Sequence, residues 1–110
     1  MSSPAGVPTL VAYVPDLMDR SRFARRPVRF VGDPAELVPA AVGADLVVVD
    51  LSRQGVLDPA TDVAATGVRV VGFAPHVDDE LRAAATAAGI EVVARSRFFG
   101  RLDDVLSDRR

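Results

Sequence analysis

The sequence contains no cysteine and no lysine, so all thirteen of its basic side chains are arginines. Without cysteine, disulfides, thiol chemistry and zinc–thiolate sites are excluded. No apolar run approaches the ~18 residues that a membrane span needs. The balance of 15 acidic to 13 basic residues lacks the positive excess typical of proteins that bind nucleic acid or anionic membranes. We therefore expect neither nucleic acid nor a membrane as a partner.

Common enzyme signatures are also missing. The chain has no GxGxxG fingerprint, no Walker A loop and no Ser-His-Asp arrangement, and residues 14–17 hold no Ser/Thr-rich phosphate loop. The single histidine, His76, removes most general-base schemes. The acidic residues 78–80 that follow it are explained by the helix dipole rather than by a metal site. The sequence predicts a protein that is not an enzyme.

Strand-like and helix-like patterns alternate along the chain. Short apolar runs of strand length are followed each time by a segment with helical spacing or a helix-capping residue. This alternation predicts one doubly wound parallel sheet of five strands, in the order 2-1-3-4-5, between two layers of helices. The predicted strands are 9–14, 27–31, 44–51, 68–73 and 90–94, and the predicted helices 16–24, 33–43, 60–66, 77–88 and 99–107.

The size of the chain, 110 residues, is that of a single domain. We expect residues 1–8 to be a disordered lead-in and residues 9–110 to form the domain. The lead-in has neither the basic region nor the apolar run of a secretory signal peptide, so the expected location is cytoplasmic.

Two helix starts carry specific predictions. Asp16 is expected to cap the first helix, with Leu17, Phe23 and Ala24 facing the core. The second helix begins at the Asp-Pro-Ala-Glu run of residues 33–36, and Leu37, Val38 and Ala41 are expected to face inward. Residues 52–59 are predicted to be a loop.

Chemically interesting side chains are expected at the carboxyl ends of the strands, where doubly wound sheets bind ligands. The candidate binding residues are Asp16, Asp50, Ala74, Arg95 and Arg97. Asp50 ends the most apolar strand and has two interpretations. It is a reactive carboxylate, or it forms an Asx turn with the backbone amides of residue 52 or 53.

The arginines at positions 20–29 form the one basic cluster of the sequence. We expect it to be a solvated face whose charges pair with nearby carboxylates, because a nucleic-acid surface would need more net charge and free aromatic rings. The arginines are Arg20, Arg22, Arg25, Arg26 and Arg29, and the expected partners are Asp19 and Asp33.

The chain resembles the CheY-like receiver domain of response regulators. The resemblance covers residues 9–107 and depends on the order of elements, on Asp50 at the end of the third strand, and on the Arg-Ser-Arg-Phe-Phe run of residues 95–99, which is similar to the Lys-Pro-Phe run before the family's last helix. It implies a phosphoryl acceptor at Asp50, an acidic pair after strand one that holds Mg²⁺, a hydroxyl residue after strand four and a lysine after strand five.

Three of those features are replaced in this sequence. Only Asp16 stands where the family has two carboxylates, and Ala74 takes the hydroxyl position. The lysine position falls at Arg95, or at Ser96 or Arg97 if the register shifts. The guanidinium group of arginine differs from an ammonium group in shape and reach. The resemblance therefore implies an atypical receiver, or pseudo-receiver, in which Asp16 and Asp50 would hold Mg²⁺ only with additional water.

Three functions follow. The first is a non-catalytic signalling and protein-interaction module that docks to a protein partner, or to a second copy, through Val77–Ser107 and needs no cofactor. The second is a single-domain response regulator that accepts a phosphoryl group on Asp50 with Mg²⁺, in which case self-phosphorylation is its only activity. The third is a binder of small anionic ligands at the carboxyl edge of the sheet.

Overall fold

The computed structural model describes residues 9–24 and 26–107. The predicted lead-in, 1–8, lies outside the described residues, as do Arg25 and residues 108–110. Within the described ranges, no helix has the length and apolar character needed to cross a membrane.

Five parallel strands form one sheet in the order β2-β1-β3-β4-β5, which confirms the predicted topology. Every residue of β3 is buried, as expected for a central strand covered on both faces. At the β2 edge the central residue, Arg29, is exposed between two half-buried apolar neighbours. The strands are β1 Leu10–Tyr13, β2 Val28–Phe30, β3 Leu46–Asp50, β4 Arg69–Ala74 and β5 Glu91–Ala94.

Helices cover both faces of this sheet. The second helical segment opens with a 3₁₀ turn, Pro34–Glu36, before α2. The helices are α1 Leu17–Ser21, α2 Leu37–Ala40, α3 Leu57–Ala65, α4 Asp79–Ala87, α5 Arg95–Gly100 and α6 Leu102–Ser107.

The predicted inward residues of the first helix are right for Phe23, which is buried, and wrong for Leu17 and Ala24. Leu17 and Met18 are 74% and 76% exposed, and the buried residues of this segment are Asp19 and Phe23. Asp19 sets the inward side of α1, and Leu17 points outward because residues two apart do not share a face of a helix. Ala24, also predicted to be inward, is exposed in a left-handed conformation (φ +53°) after α1 has ended.

Other element boundaries also differ from the prediction. The α3 helix begins at Leu57, inside the predicted loop, because Pro59 is tolerated in a first helical turn. In α2, Leu37 and Ala41 are buried as predicted, but Val38 is exposed. The last helix starts at Arg95, earlier than predicted, and breaks at Arg101, whose backbone is not helical.

The core consists of two halves, one on each face of the sheet. The half beneath α2, α3 and α4 is mainly aliphatic and contains the only tyrosine, Tyr13. The half beneath α1, α5 and α6 contains the fully buried rings Phe23, Phe73 and Phe98. The helices over the first half pack on one face of β1, β3 and β4, and the helices over the second half pack on the opposite face.

Candidate functional site at the carboxyl edge of the sheet

A cleft of about 340 Å³ opens at the carboxyl ends of the strands. It contains three carboxylates, two guanidinium groups and two hydroxyls, so its chemistry is that of charge pairing. The residues that line it are Asp16, Asp19, Asp50, Ser52, Arg53, Pro75, Arg95 and Ser96.

Asp50 is the last residue of β3 and is only 4% exposed. Its Oδ1 accepts hydrogen bonds from the backbone amide of Ser52 at 3.0 Å and from the Ser52 hydroxyl at 2.6 Å. Its Oδ2 accepts from Nε of Arg53 at 3.3 Å. The Asx-turn interpretation is therefore confirmed for Ser52, whereas Arg53 binds this side chain with its guanidinium group rather than its amide.

Asp16 caps α1, as predicted. Its Oδ1 accepts hydrogen bonds from the amides of Met18 at 2.8 Å and Asp19 at 3.2 Å, which would otherwise be unpaired in the first helical turn. Asp16 is exposed, and its charge faces the same cleft as Asp50.

The second carboxylate on this side of the cleft is Asp19, which was not predicted as a site residue. Asp19 is 2% exposed, and both its oxygens bind Arg95: Nε donates to Oδ2 at 3.3 Å and Nη2 donates to Oδ1. This two-point geometry is the strong form of an arginine–carboxylate pair. It joins α1 to the start of α5 across the top of the sheet.

The expected partners of the basic cluster are therefore wrong. Asp19 is taken by Arg95, and Asp33 caps the 3₁₀ turn by accepting from the amide of residue 35 at 2.8 Å. Arg26 pairs instead with Asp103, and Arg20 donates from Nε to the carbonyl of residue 14 at 2.7 Å.

The electrostatics of the cleft favour the charged form of Arg95. Its hydrogen bond to Asp19 raises the pKa of Arg95, partial burial opposes this, and the negative charges of Asp19, Asp16 and Asp50 add to the increase. A raised folded-state pKa stabilises the fold below the ordinary pKa of arginine, and this contribution is lost only as the pH rises through the raised pKa. Arg95 is therefore a permanent cation in this cleft at every physiological pH.

Ala74 and Arg97 do not line the cleft. Ala74 is buried as the last residue of β4, where it pairs with Ala94. The residue after it, Pro75, reaches the cleft instead. Arg97 lies one helical step beyond the cleft and is exposed. Of the five candidate residues, the structure thus brings Asp16, Asp50 and Arg95 together.

A magnesium ion at Asp16 and Asp50 would compete with the hydrogen bonds that these side chains already accept. Mg²⁺ requires near-octahedral oxygen ligation, yet both oxygens of Asp50 and both oxygens of Asp19 already accept hydrogen bonds. The donors include the cations Arg53 and Arg95, which would repel a second cation. Across residues 9–24 and 26–107, no three His, Asp or Glu side chains come together as a metal site would need.

One signal in the sequence would have found Asp19. It lies three residues after Asp16, so the two carboxylates fall on neighbouring positions of the same helical turn. Its partner could not be found in this way, because Arg95 is 76 positions away and only the folded sheet brings them together.

Comparison with known proteins gives one result that bears on the fold. No family model matches the chain, and no curated protein matches it. Among solved structures, a similar one is that of a protein from Burkholderia pseudomallei whose name relates it to pilus assembly. The two share 18% identity with a TM-score of 0.73, over 94% of this chain and 90% of that one. The chain therefore has a flavodoxin- and CheY-like doubly wound α/β fold.

Proposed function

We propose that this protein is a non-catalytic, receiver-like module that acts by docking to another protein. The observation that supports this most directly is the pairing of Asp19 with Arg95 across the carboxyl edge of the sheet. It fills, with a fixed internal ion pair, the region in which a receiver would hold a metal ion.

The environment of Asp50 also supports the proposal. A carboxylate that accepts a phosphoryl group must present an oxygen to the phosphorus atom, with a cation nearby to neutralise the incoming charge. Here Ser52 and Arg53 engage both oxygens. The buried side chain of Ala74 offers no hydroxyl beside them. Releasing a buried carboxylate from such bonds costs about 1–3 kcal/mol.

The cleft gives no comparable support for binding a small anion. Its three carboxylates outnumber its two guanidinium groups, and each guanidinium group already binds a carboxylate. An anionic ligand would have to break one of these pairs before it gained a contact.

The proposed docking region has a mainly polar surface. Segment Val77–Ser107, which we propose as the docking region, supplies α4 to one helical layer and α5 and α6 to the other. The four large apolar side chains that are most exposed among the described residues lie outside it: Leu17, Met18, Val38 and Val42. Contacts through the segment would therefore be mainly polar. We propose that the docking takes place within a multi-protein assembly, because the structurally similar protein is named for pilus assembly.

Amide NMR spectra and intact-mass measurements test this proposal. We expect no change in the amide shifts of residues 16, 50 and 95 on addition of Mg²⁺ and beryllofluoride, and no mass increase after incubation with acetyl phosphate. A phosphorylatable receiver treated in parallel shows that the reagents are active. If the mass increased by one phosphoryl group, and Asp50→Ala abolished the increase, the protein would be a phosphorylatable regulator and the proposal would be wrong.

A further inference from the structure

The two helical layers of the protein carry opposite charge. The layer of α1, α5 and α6, which covers the aromatic half of the core, holds six arginines and three acidic residues in the described parts of 17–26 and 95–107. In the opposite layer, α3 and α4 with the cap of α4 hold five acidic residues and one arginine. The near-neutral composition of the whole chain hides this asymmetry.

The positive layer contains a groove of about 390 Å³ between the end of α1 and the junction of α5 with α6. Arg22 and Arg101 line it, and neither pairs with a carboxylate of the described residues. The guanidinium carbon of Arg22 lies 5.3 Å from the ring centre of Phe99, which holds this cation in place. Phe99 and Leu102 add apolar surface to the groove. We call this surface the arginine groove.

The opposite layer carries carboxylates without internal cation partners. Asp58 and Asp62 lie four residues apart on α3, and Asp79 and Glu80 lie in the first turn of α4. All four are exposed, and none forms an ion pair with another described residue. The like charges of Asp58 and Asp62, four residues apart, destabilise α3 slightly, so an external cation would relieve them. We call these four residues the acidic helix pair.

We propose that copies of this chain associate head to tail, with the arginine groove of one copy against the acidic helix pair of the next. Each copy supplies both members of the complementary pair. The proposal does not depend on the chemistry at Asp50, so a result that contradicts the proposed function would not contradict it.

A second copy fits the groove better than nucleic acid does. Single-stranded nucleic acid binds where aromatic rings are free to stack with bases. Arg22 and Arg95 both lie over the ring of Phe99, so that ring is covered. Asp103 and Asp104 also line the groove and interrupt its positive charge, so the groove suits a few separate carboxylates better than a continuous chain of phosphates.

The geometry predicts open chains rather than closed dimers. The two surfaces lie on opposite faces of the sheet, so two copies related by a two-fold axis cannot satisfy both contacts at once. Such heterologous contacts propagate unless the rotation closes a ring. Because the charges are exposed, the attraction should weaken as salt shortens the screening length, from about 30 Å at 0.01 M to about 3 Å at 1 M.

Sedimentation velocity tests the association. At about 0.01 M salt, we expect the average mass to rise continuously with protein concentration and to pass that of a dimer. At about 1 M salt it should return to the monomer mass. A monomer at every concentration in low salt would overturn the proposal, as would a discrete dimer that salt does not dissociate.

Charge reversal identifies the surfaces. Two double variants each reverse the charge of one surface: Arg22→Glu/Arg101→Glu and Asp79→Arg/Glu80→Arg. Each should be monomeric alone, because it removes the attraction between identical copies. Mixed together, they should associate again, because each reversed surface then meets a complementary one. The control Arg29→Glu makes one such charge reversal at the β2 edge, outside both surfaces, and should associate like the wild type. Variants that stay apart when mixed would contradict the proposal, and circular dichroism checks that each is folded.

Discussion

At the scale of single residues, the Asp19–Arg95 pair is the contact that joins α1 to α5 across the carboxyl edge of the sheet. Asp19 is buried, whereas the Arg95 side chain is 38% exposed. Replacing Arg95 alone should therefore cost more stability than replacing both residues. The single change leaves a buried carboxylate without its cation, whereas the double change leaves no buried charge.

We expect Arg95→Met to lower the free energy of unfolding by about 1–3 kcal/mol, since it strands the carboxylate of Asp19. The double variant Asp19→Leu/Arg95→Met should recover most of that loss, because apolar side chains can replace a buried ion pair at little cost. Urea denaturation measures both. Arg97→Met is the matched control and should change stability by less than about 0.5 kcal/mol. Equal effects of Arg95→Met and Arg97→Met would show that the pair does not stabilise the fold.

Hydrogen bonds at this scale were predictable only where they are local. Aspartate tends to accept hydrogen bonds from backbone amides two or three residues ahead. This tendency predicts the bonds of Asp16 to the amides of residues 18 and 19 and that of Asp50 to the amide of Ser52. The pairing of Asp19 with Arg95 depends on where α1 and α5 pack, which no local pattern contains.

At the scale of elements, the end of α1 is a strained connection. Ala24 adopts φ +53°, a conformation that costs a residue with a Cβ atom roughly 1–2 kcal/mol. Glycine accepts this conformation without that cost, although it loses more entropy on folding.

We therefore expect Ala24→Gly to raise the free energy of unfolding by about 0.5–1 kcal/mol. The control is Ala87→Gly, which is exposed in the last turn of α4 and should lower it by about 0.5–1 kcal/mol. Thermal denaturation followed by circular dichroism compares the two. A loss of stability in both variants would mean that the connection is not strained.

A second prediction concerns the packing of β4 against the residue after β3. A Cβ atom added at Gly72 would lie 2.6 Å from Cγ of Leu51, which is too close for any real contact. Gly72→Ala should therefore destabilise the protein by about 1–3 kcal/mol through overpacking. The double variant Gly72→Ala/Leu51→Ala should remove this clash, and urea denaturation should show that the two changes are not additive. Additive losses would indicate that Leu51 is not the obstacle.

Element types were easier to predict than element ends. The strands were recognised from their apolar runs, and the start of the second helical segment from Asp33. The inward face of α1 was not, because the buried side chain in that helix is a carboxylate. The burial of Asp19 depends on a partner from another element, which reverses the usual rule that charged residues face solvent.

At the scale of the whole molecule, one sheet separates an aliphatic half-core from an aromatic one. Both halves share β1, β3 and β4, whose alternate side chains point to opposite faces. A change on one face should therefore destabilise the domain as a unit.

The lone Tyr13 makes this measurable, since it lies in the aliphatic half and the chain has no tryptophan. We expect Phe98→Ala, in the opposite half, to lower the free energy of unfolding by about 3–5 kcal/mol. Tyrosine fluorescence and far-ultraviolet circular dichroism should report the same shifted transition. Separate transitions would show that the half-cores unfold independently. Val63→Ala, in the half that contains Tyr13, is the control on the other face, and it should also shift both signals together.

By itself, the sequence determined the architecture and the local bonds at the ends of its elements. Apolar periodicity and capping residues act over a few positions, and short connections between parallel strands leave few topologies to choose from. Only the tertiary structure decided which charges meet. It joined Asp19 to Arg95 and Arg26 to Asp103, and it placed arginines and carboxylates on opposite faces of the sheet. Electrostatic pairing depends on distance in space, and distances between remote residues are set only when the helices pack onto the sheet.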